Sequence, residues 1–324
     1  MASMRDNSGM YTVIPYAAPA GLHCQAAIAQ LSLPNLAQLL SLLNPTPPLL
    51  GSAESLTPVS ERVHAKSLGL QGADGLVPWA ALDAEHLGLT KLHGASGWAW
   101  ITPCHWRVNA DHVAMEDPQK LALSAHDSDA LRAAMQPYFA EDGITLHPLS
   151  DTTWLAQGSV LVDLPTASLA RTRSARVDGW MPRQPQAQAL RRLQNEMQML
   201  LYTHPVNDAR KARFLPPVNS FWISGTGTLP ATPRQPPAQR VVMENSLTEA
   251  ALRDDAQAWS KAWQALDAGL IAKLLARAKA NEAMEITLCG ERLAPTFVLQ
   301  TSPWWNRLQR RFTAPPPHEL LLTL

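Results

Sequence analysis

Between Gln186 and Gly227 the chain concentrates side chains that could hold a polar or anionic ligand. Arg191, Asn195, Gln198 and Tyr202 recur at i, i+4, i+7 and i+11, which sets them along one side of a helix. Neutral amides and a phenol both donate and accept hydrogen bonds. Such a face suits an ordinary solvated surface, a second packing surface or a polar ligand. His204 stands before Pro205, where its ring is expected near the negative end of that helix. The run Val218-Asn219-Ser220-Phe221-Trp222-Ile223-Ser224-Gly225-Thr226-Gly227 reads as a strand leaving into a turn that needs glycine's freedom. Exposed amides at a turn of this kind could cradle an anion. The segment TLPATPRQPP follows, so no helix N-terminus is available and neither a P-loop nor a dinucleotide fold is expected. The candidate ligand contacts are Arg191, Asn195, Gln198, His204, Asn219, Ser220, Trp222, Gly225 and Gly227, with a purely structural turn as the competing reading.

Other reactive side chains are sparser. Cys104-His105, Asp111-His112 and Glu116-Asp117 form the densest group of metal-capable residues, yet their spacing matches neither a zinc knuckle nor HExxH. Cys104 and His105 are neighbours on an expected strand, so their side chains point to opposite faces and do not make a nucleophile–base pair. No GxSxG elbow is present. Eleven tryptophans stand against five phenylalanines. The pairs Trp98/Trp100, Trp259/Trp263 and Trp304/Trp305 fit a core or, if part is exposed, an anchor for a protein partner.

These side chains need a scaffold, and the chain supplies apolar periodicity for one. Strands are predicted over 11–16, 98–108 with a break at Pro103, 144–148, 220–224, 239–243, 285–289, 296–300 and 320–324, with a hairpin joining 153–156 to 159–164. Helices are predicted around Leu36–Leu43 and over 81–92, 127–140, 186–202, 248–279 with a hinge at 267–269, and 304–312. Asp127 or Ser128 is the expected cap of the third. On 186–202, Leu190, Leu193, Met197, Leu200 and Leu201 form the apolar stripe. Helices alternating with strands imply an α/β fold, its sheet mixed or largely parallel and flanked by helices. One domain over 1–324 is expected, with a weaker reading that places a boundary at 165–185, where Arg, Ser, Gly and Pro cluster.

Bulk properties narrow the function. With 324 residues and 46% hydrophobic content the chain can bury a sizeable core. Lys and Arg total 27, as do Asp and Glu, so the basic excess that nucleic-acid binding needs is missing. Three scattered cysteines fit a reducing compartment better than a disulfide framework. Met1–Met10 lacks the pattern of a signal peptide, and no 18-residue apolar run exists. A soluble cytoplasmic protein, without nucleic-acid or membrane partners, is expected.

Two segments carry a family resemblance. Glu196-Met-Gln-Met-Leu-Leu-Tyr-Thr-His-Pro-Val-Asn207, followed by Val218 to Gly227, resembles the bacterial RpfE-type regulatory proteins, often described as phosphoglycerate-mutase-like. The likeness extends loosely through Cys104-His105-Trp106, Asp117-Pro118, Tyr138 to Gly143 and Trp154-Leu-Ala156. The Asn-x-x-Trp-x-x-Gly-x-Gly portion is also similar to a short motif of archaeal-type cofactor-independent phosphoglycerate mutases. The resemblance implies an alkaline-phosphatase-like scaffold, and that chemistry needs two metals held by Asp and His plus a nucleophilic Ser or Thr. Here Pro15-Tyr16-Ala17-Ala18 follows the first strand, Leu288-Cys289-Gly290-Glu291 ends a late one, and His318 is the only histidine beyond Trp222. The expectation is therefore a degenerate scaffold: a non-catalytic regulatory or interaction protein that binds a protein partner or small anion, with no catalytic residues, metal or cofactor. The alternative is a metal-dependent phosphoryl-transfer enzyme acting on a small anionic substrate.

Overall fold

In a computed structural model, residues 10–92, 96–173, 176–230, 240–299 and 316–324 are described. The chain divides into two compact units, one made of residues 1–54, 58–69 and 235–324, the other of 55–57 and 70–234. The 165–185 segment lies inside the second unit. The predicted helix 304–312, the Trp304/Trp305 pair and Ser174 lie outside the described residues.

The first unit is organised around β1 (Met10–Ile14), which runs parallel to β10 (Arg240–Met243) on one side and β11 (Met284–Leu288) on the other. β13 (Thr296–Val298) pairs antiparallel with β11, and β2 (Asn44–Pro45) with β13. The sheet is thus mixed, in the order β10-β1-β11-β13-β2. β3 (Leu49–Leu50) and β12 (Leu293–Ala294) form a separate antiparallel pair. Side chains alternate across β1. Ile14 joins Ile286 and Leu288 in the larger core, while Val13 faces the other side.

The larger core packs under α1 (Leu22–Ile28), α2 (Pro34–Leu42), α9 (Thr248–Leu252), α10 (Ala256–Leu266) and α11 (Ala272–Lys279). The opposite face meets α3 (Val59–Ser67) through Val59 and Val63. The predicted hinge at 267–269 is a π-turn, Asp267–Ile271, that keeps α10 and α11 continuous. It aims the buried Asp267 carboxylate at the start of α2, where it accepts from the N–H groups of Asn35 (3.2 Å) and Leu36 (2.8 Å). A helix whose first donors lack a cap of their own is satisfied from another element. The predicted strand 320–324 is instead α12 (Pro317–Thr323): Pro317 sits at its first turn, where a missing N–H costs nothing.

The second unit holds an antiparallel sheet of β4 (Gly97–Cys104), β7 (Thr145–Ser150), β8 (Thr153–Gly158) and β9 (Ser220–Gly227), in the order β7-β8-β4-β9. β5 (Trp106–Val108) and β6 (Val113–Met115) form a small ladder. The predicted hairpin is displaced: 145–150 pairs with 153–158 across Asp151-Thr152, and 159–161 is a 3-10 turn. α5 (Ala125–Glu141) and α7 (Gln188–Tyr202) pack on this sheet through Leu131, Met135, Phe139, Leu190, Leu193 and Met197. α4 (Trp79–His86), α6 (Leu169–Thr172) and α8 (Pro205–Ala212) complete the unit. α5 is capped by Ser124, whose hydroxyl accepts from Asp127 N–H, and not by Asp127 or Ser128. The expected α/β architecture with a mixed sheet and flanking helices is therefore present.

Candidate functional site

On α7 Leu190, Leu193, Met197 and Leu201 of the apolar stripe are buried and Leu200 partly so, and the amide side is solvent-facing. Asn195 and Gln198 are exposed, beside Met199 (77% exposed) and Tyr202 (87%). Arg191 departs from that ridge. Its guanidinium donates to the Pro182 carbonyl at 3.0 Å and so fastens the segment entering the helix. His204 caps the following helix and not the preceding one: its Nδ1 accepts from Val206 N–H at 3.3 Å, ahead of Pro205 in the first turn of α8. The adjacent Asn207, which the motif contains but chemistry alone did not single out, is buried. It donates to the carbonyls of Leu201 and Val218 and accepts from Val218 N–H, tying the end of α7 to the start of β9.

Along β9 the singled-out side chains turn inward. Asn219 accepts from Trp106 N–H (2.7 Å) and donates to Trp106 C=O (2.8 Å), acting as a length of strand for β5. Trp222 is buried, and its indole donates to the Ala167 carbonyl at 3.0 Å. Ser220 is buried opposite Cys104, its hydroxyl unpaired. Gly225 and Gly227 lie within the strand and not in an open turn. The register with β4 shifts between Trp98 and Trp100, and Gly225 takes φ +64° at that bulge. A Cβ there would stand 2.8 Å from the Trp100 ring. Between the glycines, the buried Thr226 hydroxyl bonds to the carbonyls of Gly75 and Leu164 and to the Thr166 hydroxyl. Apart from the unpaired Ser220 hydroxyl, these polar side chains are spent on ties within the unit. The nine candidates do not converge: Asn195 and Gln198 face solvent, while Asn219, Ser220 and Trp222 face protein.

Two features of this unit escaped sequence reasoning. Arg210 is fully buried, and its guanidinium donates to Asp127 Oδ2 (2.8 Å) and to the carbonyls of Pro216 and Leu121. Arg213 bonds both oxygens of the same carboxylate. Burial pulls the Asp127 carboxyl upward, but hydrogen bonds and charge from Arg213 and Arg210 outweigh it, leaving the group below the usual carboxylate range. A second pair joins the buried Asp117 to the half-buried Arg173 through two 2.9 Å bonds. Only the spacing of an Arg-x-x-Arg on a short helix hinted at the first cluster, and its carboxylate is 83 residues away.

The metal-capable group around Cys104 disperses. Cys104 is buried, while His105 bonds the Pro217 carbonyl at 2.9 Å, in line with the opposite-face reading. His112 pairs with Asp111 (2.6 Å) and Asn109, and Asp117 is committed to Arg173. Among the described residues no three His, Cys, Asp or Glu side chains assemble to hold a cation. Burial raises all three thiols, Cys24 and Cys289 to about 12, so none is a thiolate nucleophile near neutrality.

In the first unit, the carboxyl ends of the parallel strands are where an open α/β sheet ordinarily binds its ligand. Here the ends of β1 and β11 are tied to each other and to α10. Beyond β1 the chain passes through Tyr16 at φ +54°, and its carbonyl accepts from the Trp259 indole at 3.1 Å. The next carbonyl, Ala17, accepts from Trp263 at 3.2 Å. Ala17 N–H donates to Cys289 C=O, joining the two strand ends directly. Trp259 and Trp263 are fully buried and meet edge to face, with centroids 6.4 Å apart. Both residues serve the core, the first of the two readings open for this pair.

No family model and no curated protein matches this sequence. Among solved structures, the chain is similar to a cofactor-independent phosphoglycerate mutase from Thermoplasma acidophilum DSM 1728, at 14% identity over 91% of this chain and 90% of that one, with a TM-score of 0.38. It is also similar to the PH0037 protein from Pyrococcus horikoshii, at 12% identity over 98% and 97%, with a TM-score of 0.46. Identities at this level assign no residue a role.

Proposed function

We propose that this chain is a non-catalytic regulatory or interaction protein of the RpfE type, in which a degenerate alkaline-phosphatase-like scaffold recognises a partner and transforms nothing. One observation carries the reading. The ends of β1 and β11, where phosphoryl-transfer chemistry would place carboxylates and imidazoles, hold Tyr16, Ala17 and Cys289, with the Tyr16 and Ala17 carbonyls bonded to two buried indoles. An indole is a hydrogen-bond donor only, and neither a backbone carbonyl already accepting from it nor a neutral thiol at pKa about 12 supplies a nucleophile or a base. Of the candidate contacts, Asn195 and Gln198 remain available to a partner, and this reading assigns recognition to them. Cytoplasmic residence belongs to the same proposal. Among the described residues no helix is long and apolar enough to cross a membrane.

The test is elemental analysis of the purified protein, paired with turnover of 3-phosphoglycerate and of a generic phosphate ester in the presence of manganese. The expected result is no stoichiometric metal and no turnover above the uncatalysed rate. Stoichiometric metal with turnover would replace this reading by the metal-dependent mutase or phosphatase. Affinity capture with the intact chain should recover a partner whose retention falls on Asn195→Ala and Gln198→Ala.

A further inference from the structure

The face of the first unit's sheet that bears α3 holds an open cavity. Strands lie about 4.8 Å apart and a helix is about 10 Å across, so one helix roofs roughly two strands. Within this unit α3, nine residues long, presses Val59 and Val63 onto Val13, Cys289 and Ala294. At the last turn of α3 the space between helix and sheet opens to about 380 Å³, bordered by Tyr11, Lys66, Glu285 and Thr296. Small-molecule sites run from about 300 to 1,000 Å³.

The floor is ordered before any ligand arrives. Register places Tyr11 beside Glu285, and Thr287 beside Thr296. The Tyr11 hydroxyl lies 2.9 Å from Thr287 Oγ1, which lies 2.6 Å from Thr296 Oγ1, so three hydroxyls run in a chain across β1, β11 and β13. Leu49, Ala294 and Val298 give the walls an apolar part. Two opposite charges complete the lining: the Lys66 ammonium from α3, which makes no ion pair among the described residues, and the Glu285 carboxylate from β11. Glu285 has another interaction, and a carboxylate with about four lone-pair positions can accept a ligand donor beside it.

We infer that this cavity binds a small zwitterion, a free amino acid or dipeptide, with its carboxylate at Lys66, its ammonium at Glu285 and its side chain on Leu49, Ala294 and Val298. The lining discriminates by charge. A simple anion would bring its charge against Glu285, and a simple cation would bring its own against Lys66. A neutral apolar molecule would bury the hydroxyl chain without a partner for its outward-facing donors and acceptors. A zwitterion presents a counter-charge to Lys66 and another to Glu285. Burial raises the Tyr11 phenol, so it stays protonated as a donor at neutral pH. The inference is independent of the proposed function: binding here would stand whether or not the protein turns over a phosphate ester.

Titration calorimetry of the full chain at pH 7 tests it. The probes are the twenty free amino acids with Gly-Leu and Leu-Gly, each hit being compared with its N-acetyl and its C-terminal amide form. At least one free zwitterion should release heat and raise the melting temperature. Blocking either end, or introducing Lys66→Met or Glu285→Gln, should weaken it by about tenfold or more, equivalent to about 1.4 kcal/mol. Lys66 is exposed, so its variant should melt with the parent and separate lost binding from lost fold. No zwitterion binding at millimolar concentration, blocked forms binding as well as free ones, or both variants binding like the parent would each overturn the assignment.

Discussion

Arg210 shows how much of this molecule is decided by single side chains. A guanidinium with no exposed surface persists only because a carboxylate and two carbonyls meet its donors. Replacing it with methionine, Arg210→Met, should destabilise the protein by about 1–3 kcal/mol at pH 7, because the Leu121 and Pro216 carbonyls lose their donor and Asp127 keeps only Arg213. Urea denaturation reads this directly. The pH dependence has a definite sign. Asp127 titrates lower when folded than when unfolded. Its contribution is therefore complete above about pH 4 and drains away as pH falls through the folded value. The gap between parent and variant should narrow in that acid range without closing, since Leu121 and Pro216 still lack their donor. Asn219 gives a second contrast. Asn219→Ala strands both backbone groups of Trp106 and should cost about 1–3 kcal/mol, whereas Gln198→Ala, on an exposed helix face, should stay within about 0.5 kcal/mol. Equal melting temperatures for the two would remove the structural role given to Asn219. The sequence marked Asn219 as unusual through its polarity beside a strand. Its partner, 113 residues earlier, has no local signature.

At the scale of elements, legibility followed periodicity. α7 is legible because Leu190, Leu193, Met197 and Leu201 recur on one face over about three turns. Residues 320–324 read as a strand because a leucine run has no period of its own, and they lie instead at the end of the Pro317–Thr323 helix. The Gly225-Thr226-Gly227 segment was read as a turn for a sound reason, positive φ, that a β-bulge satisfies equally. The bulge makes a sharp prediction. Gly225→Ala adds a methyl group at 2.8 Å from the Trp100 ring in a left-handed backbone, so about 1–3 kcal/mol should be lost. Gly179→Ala, where a Cβ meets nothing within 4 Å, should be silent in the same melting experiment. If Gly225→Ala is equally silent, the strand has room the bulge geometry denies it.

At the scale of the whole molecule, the arrangement least visible in the sequence is the division of the chain itself. The first unit is assembled from both ends, with β1 held between strands that begin 230 or more residues later. Pattern reading works over windows of tens of residues and cannot pair Met10 with Arg240 and Met284. The second unit is different in kind: its sheet joins β4, β7, β8 and β9, all from residues 97–227, around a core of its own. A fragment of residues 55–234 contains every partner of that sheet, both Asp–Arg pairs and the Asn207 and Thr226 ties. It should therefore fold alone and melt cooperatively by circular dichroism, with Arg210→Met lowering its midpoint. A fragment of residues 1–69 should stay unfolded, because β1 then has neither parallel neighbour and its amides have no ladder to enter. A non-cooperative melt of 55–234 would mean that the second unit draws stability from residues beyond its own contacts.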